Sequence, residues 1–252
     1  MGNMGGSRAI KARISPDFWP IPRKLRPWAV KSSPGPHPIE RSLPLLILLR
    51  DVLGYAESAK EARKVISEGK IKVDGKPVKN YKFPVGAMDV IEIPETEEYY
   101  RVVPYPIDYL KLYKISKDES LIKPVRIENK TTIAGGSVQL NLYGGKNIVI
   151  KFDKGEKRQI QYKTLDTLLI TLPDQEIKDH ISLEEGDLAI VMWGKNVGKV
   201  GKLISINKQW GWKWTSVTLE GKGGKQFQTA LNYILVIGKE KPIISLPGEL
   251  LP

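Results

Sequence analysis

Lys60, Arg63 and Lys64 have the residue types and the spacing to grip a polyanion. In helical register they lie on roughly the opposite side from Ala59, Ala62, Val65 and Ile66, which recur as an apolar stripe. Ammonium and guanidinium groups gathered on one face neutralise phosphates, and guanidinium adds a flat fork of donors. Lys72 and Lys76 follow on either side of Asp74-Gly75. A second group lies near the start of the chain, where Arg23, Lys24 and Arg26 stand between Trp19 and Trp28, after Arg8, Lys11 and Arg13 and before Arg41. Flat rings beside cations can stack on bases or ribose while phosphates are neutralised. The other reading of this segment is a solvated tail whose two tryptophans pack on the following domain. In a third group, Gly194, Gly198 and Gly201 alternate with Lys195, Lys199 and Lys202, so that a sharply turning backbone carries a rim of point charges.

The elements that must hold these side chains are legible between Leu43 and Ile93. Leu45, Leu46, Leu48, Leu49, Val52 and Leu53 form an apolar helical run that Gly54 ends. Ser58-Ala59-Lys60-Glu61 is a capping box, in which the Ser oxygen and the Glu carboxylate satisfy donors left over at a helix start. Gly69 stops that second helix. Asp74-Gly75, between Ile71-Lys72-Val73 and Lys76-Pro77-Val78, is a two-residue hairpin turn in which both central positions take positive φ. Helix, helix, hairpin is the predicted order, with a basic helix face beside a lysine-bearing ribbon.

The 252 residues carry 40 basic and 28 acidic side chains, a net +12 that suits contact with nucleic acid or an anionic surface. Half of the excess falls within residues 1–41, where seven prolines forbid a long helix. That arm lacks the apolar surface to order itself alone and is expected to fold against a partner. Cysteine is absent, which removes disulfides and thiolate chemistry and suits a reducing cytosol. No apolar stretch approaches the roughly 20 residues of a membrane span, and the start lacks the apolar core of a signal peptide. A cytoplasmic protein without a membrane partner is expected.

Past residue 106, short β-branched or alternating runs recur: Val125–Ile127, Ser137–Leu142, Asn147–Phe152, Gln159–Tyr162 and Leu168–Thr171. Glycine and proline punctuate them, as in a small β domain. Further strands at Asp187–Met192, Leu203–Ile206, Val217–Leu219, Gln226–Leu231 and Tyr233–Ile237 predict a second small barrel. Trp210, Trp212 and Trp214 share one strand face, either as core or interface, or as a stacking platform. The predicted fold is therefore multidomain α+β and mostly β. Its divisions are an arm at 1–41, a helix-helix-hairpin module at 42–106, a central β domain at 107–175, a barrel at 176–238 and a tail at 239–252.

Catalytic groupings are missing. His37 and His180 stand apart, so no metal site or cofactor is expected. Gly194 to Lys199 has the spacing G-x-x-x-G-K, and Val200 replaces the hydroxyl that a phosphate loop needs. Asp166 and Asp174 lack a visible acid–base partner, and a solvated role is expected for both.

Together these motifs resemble the eukaryotic and archaeal small-subunit ribosomal protein number four, the "e" type. The resemblance rests on Pro34-Gly35-Pro36-His37, Ser42-Leu43-Pro44-Leu45 and the capped basic helix, then Ile71 to Lys76 and Pro84 to Ile91. It continues through Gly194 to Gly201, Ile237-Gly238-Lys239 and Ile244 to Pro247, in order along nearly the whole chain. It implies an archaeal structural component of the small ribosomal subunit, an RNA-binding module of the bacterial ribosomal protein four kind, and a C-terminal KOW-type SH3-like barrel. The implied partners are small-subunit ribosomal RNA and neighbouring ribosomal proteins, with no small-molecule substrate. RNA contacts are implied at Lys60, Arg63, Lys64 and Lys76 and at Lys195, Lys199 and Lys202, with Ser58 and the hairpin lysines fixing orientation. The missing basic tail of eukaryotic relatives implies no contact beyond about Lys241. Two rivals share parts of this pattern. One is an RNA-modifying enzyme such as a pseudouridine synthase, for which Thr164-Leu165-Asp166 supplies the aspartate without its usual arginine. The other is a KOW-bearing transcription factor.

Overall fold

The computed structural model describes residues 7, 9–133, 136–151, 161–207, 215–239 and 241–250. Arg8, Trp210, Trp212, Trp214 and the first half of the Gln159–Tyr162 run, Gln159 and Ile160, lie outside them. The arm forms a small ribbon of β1 (Ile10–Lys11) against β2 (Trp28–Ala29). Its expected need for an external partner is corrected here, because the partner is the module. Trp19 is 2% exposed within the main core, and its indole N–H donates to the Ser42 carbonyl at 2.9 Å. A buried indole needs such an acceptor, which fixes the arm's path.

After β3 (Ser42–Pro44), α1 (Leu45–Ile47) runs into a π-helical turn at Leu48–Val52. Every residue from Leu45 to Leu49 is buried, and Gly54 ends the run at φ +70°. The capped helix is α2 (Ala59–Ser67). The hairpin strands β4 (Lys72–Val73) and β5 (Lys76–Pro77) flank Asp74 and Gly75, at φ +52° and +76°. β6 (Pro84–Gly86) pairs with β3, while β7 (Val90–Ile93), β8 (Glu98–Tyr105) and β9 (Tyr109–Lys114) extend the hairpin into a sheet of order β5-β4-β7-β8-β9. This sheet crosses the division expected at 106/107, since β9 is hydrogen-bonded to β8 throughout.

Following the short α3 (Lys117–Ser120), the central sheet is built on β10 (Ile122–Thr132), with β11 (Val138–Leu142), β12 (Asn147–Ile150), β13 (Thr167–Thr171) and β14 (Ile177–Ile181). Its order is β12-β11-β10-β13-β14. An irregularity between Ile127 and Asn129 lets the first half of β10 pair with β13 and the second half with β11. β14 extends this sheet past the 175/176 division that the sequence suggests.

The last sheet has the order β18-β17-β16-β15-β19, from β15 (Leu188–Val191), β16 (Val200–Asn207), β17 (Ser216–Glu220), β18 (Gln226–Ala230) and β19 (Ile234–Gly238). Its side chains alternate between two cores. Ala189, Val191 and Ile234 face an inner core with Val217 and Leu219, while Leu188, Ile190, Leu235 and Ile237 join the core of the arm and module. Burial on both faces explains why these strands read as unbroken apolar runs.

Buried cations bolt the units together. Lys123 of β10, 1% exposed, donates to Asp74 at 2.6 Å and to Asp89 at 2.5 Å, both in the module. His37 of the arm reaches the same Asp89 at 3.0 Å, and Lys146 reaches Asp74 at 3.0 Å. Arg101 of β8 is wholly buried and binds Glu119 and the carbonyls of Glu119 and Ile122. Arg126 donates to the carbonyls of Asn232 and Ile234, beside its pair with Glu128. Burial opposes ionisation of Asp89, yet His37, Lys123 and the Gly86 N–H outweigh it and hold the carboxyl well below its usual range.

Candidate nucleic-acid interface

The basic face begins with the cap of α2. Ser58 Oγ accepts from the Glu61 N–H at 3.2 Å, and the Glu61 carboxylate accepts from the N–H groups of Ser58 and Glu57. Hydrogen bonds from Ser58 and then Glu57 hold the Glu61 carboxyl below its ordinary value. Ala62 and Ile66 are sealed in the core, and Lys60, Arg63 and Lys64 are all exposed on the other side, as the helical spacing predicts. The structure therefore ties Ser58 to the helix itself. Ser58→Ala should cost about 1 kcal/mol of stability, the usual price of a lost cap, with no change in the salt dependence of RNA binding. Chemical denaturation and filter binding check the two halves of that expectation.

Two residues join this face that the spacing did not single out. The Arg63 guanidinium lies 4.6 Å from the centre of the Tyr81 ring, and Lys79 completes a shallow groove of about 530 Å³ with Lys60 and Lys64. Lys79-Asn80-Tyr81-Lys82, an aromatic between lysines, is the signal that could have found them. Lys76 is exposed at the hairpin, whereas Lys72 is half-buried and leans toward Glu92 at 3.9 Å.

The arm contributes unevenly. Lys11, Arg13, Lys24 and Arg26 are exposed, and Trp28 is 58% exposed. Arg23 is drawn into the carbonyls of Ser15 and Pro16 and into Asp17 at 3.2 Å. Arg41 packs 5.7 Å from the ring centres of both Trp193 and Tyr233. These two arginines, expected to contact RNA, are half-buried and also make contacts inside the chain, because each sits where the arm meets folded structure. Between arm and module opens a cleft of about 650 Å³, lined by Arg26, Trp28, Lys31, Arg63, Tyr81 and Lys82 among others.

In the third group, Lys195, Lys199 and Lys202 are exposed. Lys199 donates to the Asn196 side chain at 2.9 Å and lies 5.2 Å from the centre of the Phe227 ring. The glycines serve the fold here. A Cβ on Gly198, at φ +76°, would meet Pro106 at 2.6 Å, so the close approach is to the β8–β9 turn. Asp166 also differs from its expected solvated state. It is 2% exposed and accepts from the N–H groups of Lys163 and Leu183 and from His180 at 2.8 Å. Among the described residues no helix is long and apolar enough to cross a membrane.

The chain matches three family models in succession: the RS4NT (NUC023) domain over residues 4–40, the S4 domain over 43–91, and Ribosomal family S4e over 96–177. It is 56% identical over 249 residues to the small ribosomal subunit protein eS4 of Aeropyrum pernix, covering 98% of both chains. The chain belongs to the eS4 family. The eS4 protein of Staphylothermus marinus is 55% identical over 98% of each chain, and that of Methanocaldococcus jannaschii is 44% identical, covering 98% of this chain and all of its own. The crystal structure of the 30S ribosomal protein S4e from Thermoplasma acidophilum superposes with a TM-score of 0.64 at 30% identity, over 79% of this chain and 96% of that one. The basic face of α2 thus lies on the eS4 segment matched by the S4 domain, and the cleft lies where the RS4NT segment meets it.

Proposed function

We propose that this chain clamps ribosomal RNA through phosphate and shape contacts, as a structural constituent of the small ribosomal subunit that supports translation. As an eS4 family member it is a small-subunit ribosomal protein, located in the ribosome in the cytoplasm. The observation that carries the clamp is the exposed cation set of Lys60, Arg63 and Lys64 on a helix whose opposite face is sealed in the core. A-form RNA hides its base edges in a deep groove, so such a face follows phosphates across junctions. Lys76 and the exposed arm cations Lys11, Arg13, Lys24 and Arg26 extend the track. Lys195, Lys199 and Lys202 form a further contact on the C-terminal sheet, which we take as a KOW-type SH3-like barrel. Neighbouring small-subunit proteins complete the surroundings, and no catalysis is involved. The aspartate an RNA-modifying enzyme would need, Asp166, is buried and committed to backbone amides and His180. Family membership leaves the transcription-factor reading without support.

If about ten phosphates are contacted, log affinity for small-subunit ribosomal RNA should fall with log salt at a slope of about −7 to −9. A slope shallower than about −3 would overturn the clamp. Sucrose-gradient sedimentation of a native lysate should place the chain, one copy per particle, in the small-subunit peak through a moderate-salt wash.

A further inference from the structure

The cleft between arm and module differs in chemistry from the phosphate groove beside it. Its walls carry five cations, Arg26, Lys31, Arg50, Arg63 and Lys82, against two acids, Asp51 and Glu57. Asp51 is already held by Arg50 through two hydrogen bonds, at 2.7 and 3.0 Å. Two aromatic rings face the same space. Trp28 stands in an otherwise small strand pair with more than half of its surface open, and one face of Tyr81 is covered by the Arg63 guanidinium. Apolar floor comes from Ile47 and Ala56, both buried. A volume of about 650 Å³ falls within the range of roughly 300–1,000 Å³ typical of small-molecule clefts.

We infer that this cleft receives one unpaired nucleotide of the RNA, its base stacked on Trp28 or on the Arg63–Tyr81 pair and its phosphates met by Arg26, Lys31 and Lys82. This rests on the proposed reading of the chain as an RNA binder. Arg63 and Tyr81 border both the cleft and the α2 groove, so a strand held by Lys60 and Lys64 passes directly to the cleft mouth. That continuity favours a nucleotide within a polymer over a free one. Cations with flat rings suit an unstacked base, because every base offers a π-face while its backbone stays charged. Trp28 is left open to the cleft, while Trp19, the arm's other tryptophan, anchors the arm.

The test uses the full chain and transcribed small-subunit ribosomal RNA. Stacking releases no counterions, so Trp28→Ala should weaken binding roughly 5- to 150-fold while leaving the salt slope unchanged. Trp28→Phe should keep most of the affinity. Ultraviolet crosslinking of the wild-type complex, read by mass spectrometry, should join Trp28 or Tyr81 to a single position in a bulge or loop. Unchanged affinity in Trp28→Ala, or crosslinks from the cleft only to paired nucleotides, would overturn the nucleotide site while a steep salt slope kept the clamp intact. Absence of ribosomal RNA binding by the wild-type chain would overturn both.

Discussion

Lys123→Ala should destabilise the protein by about 3–5 kcal/mol, because it strands two buried carboxylates without their shared cation. Asp74 and Asp89 would lose contacts of 2.6 and 2.5 Å, leaving Lys146 on the first and His37 on the second. For a chain of this size the midpoint of thermal unfolding should drop by about 6–20 °C. Lys151→Ala, at an exposed position, should stay within about 0.5 kcal/mol of wild type. Combining Lys123→Met with Asp89→Asn, which leaves Asp74 to Lys146, should recover much of the loss, since fewer unpaired charges then stay buried. An equal loss in the double variant would mean that shape, and not charge, holds the units together. The same network predicts a pH dependence. Asp89 titrates below its ordinary value in the fold, so its stabilisation is present above the ordinary carboxylate value, about 4. It is lost as the pH falls from there toward the depressed value. Lys123 has the opposite sign. Burial disfavours its ammonium, but Asp89 and Asp74 outweigh this and raise its pKa, so its contribution is intact below about 10.4 and fades in strong alkali. Acid unfolding should therefore begin at a higher pH in wild type than in Asp89→Asn, when each is scaled to its own neutral stability.

Removing Lys60, Arg63 and Lys64 together, each to alanine, should weaken ribosomal RNA binding by about a thousandfold, taking charged hydrogen bonds at about 1.5 kcal/mol or more apiece. The salt slope should become shallower by about two to three units, one phosphate contact for each cation. Alanine is the best helix former and the three side chains avoid the apolar stripe, so circular dichroism should report an unchanged fold. Loss of helix signal would show that the cation face packs on something the chain needs. Retention of the full slope would move the phosphate track off α2.

Local features were legible in the sequence because their causes are local. The capping box at Ser58 and Glu61 and the turn at Asp74-Gly75 depend on residues next to one another, and both formed as read. The alternation of Ala62 and Ile66 with Lys60, Arg63 and Lys64 likewise needed only the helical period. What escaped was set at long range. Asp74 was read for its backbone angle, yet its carboxylate meets a lysine 49 residues away. Asp89 is the hub for Lys123, 34 residues after it, and for His37, 52 residues before it. Trp19 and Trp28 looked equivalent in a basic, proline-rich arm. Only the Ser42 carbonyl, which accepts from Trp19, separates anchor from open ring. The sheet boundaries were missed for the same reason, since hydrogen bonds across β8–β9 and β13–β14 outlast the composition shifts at residues 106 and 175.

The core behind α2 also has a timetable. Ile66 and the α1 leucines share it with Ile244, Leu246 and Leu250, which are synthesised long after them. At about 5–20 residues per second, roughly ten to forty seconds separate translation of α2 from translation of the residues that complete its core. A nascent chain halted near residue 180 would carry its cations in register over an unsealed apolar face, exposed to aggregation. The RNA-facing helix is made early and seated late, so premature termination yields a sticky fragment and not a smaller clamp.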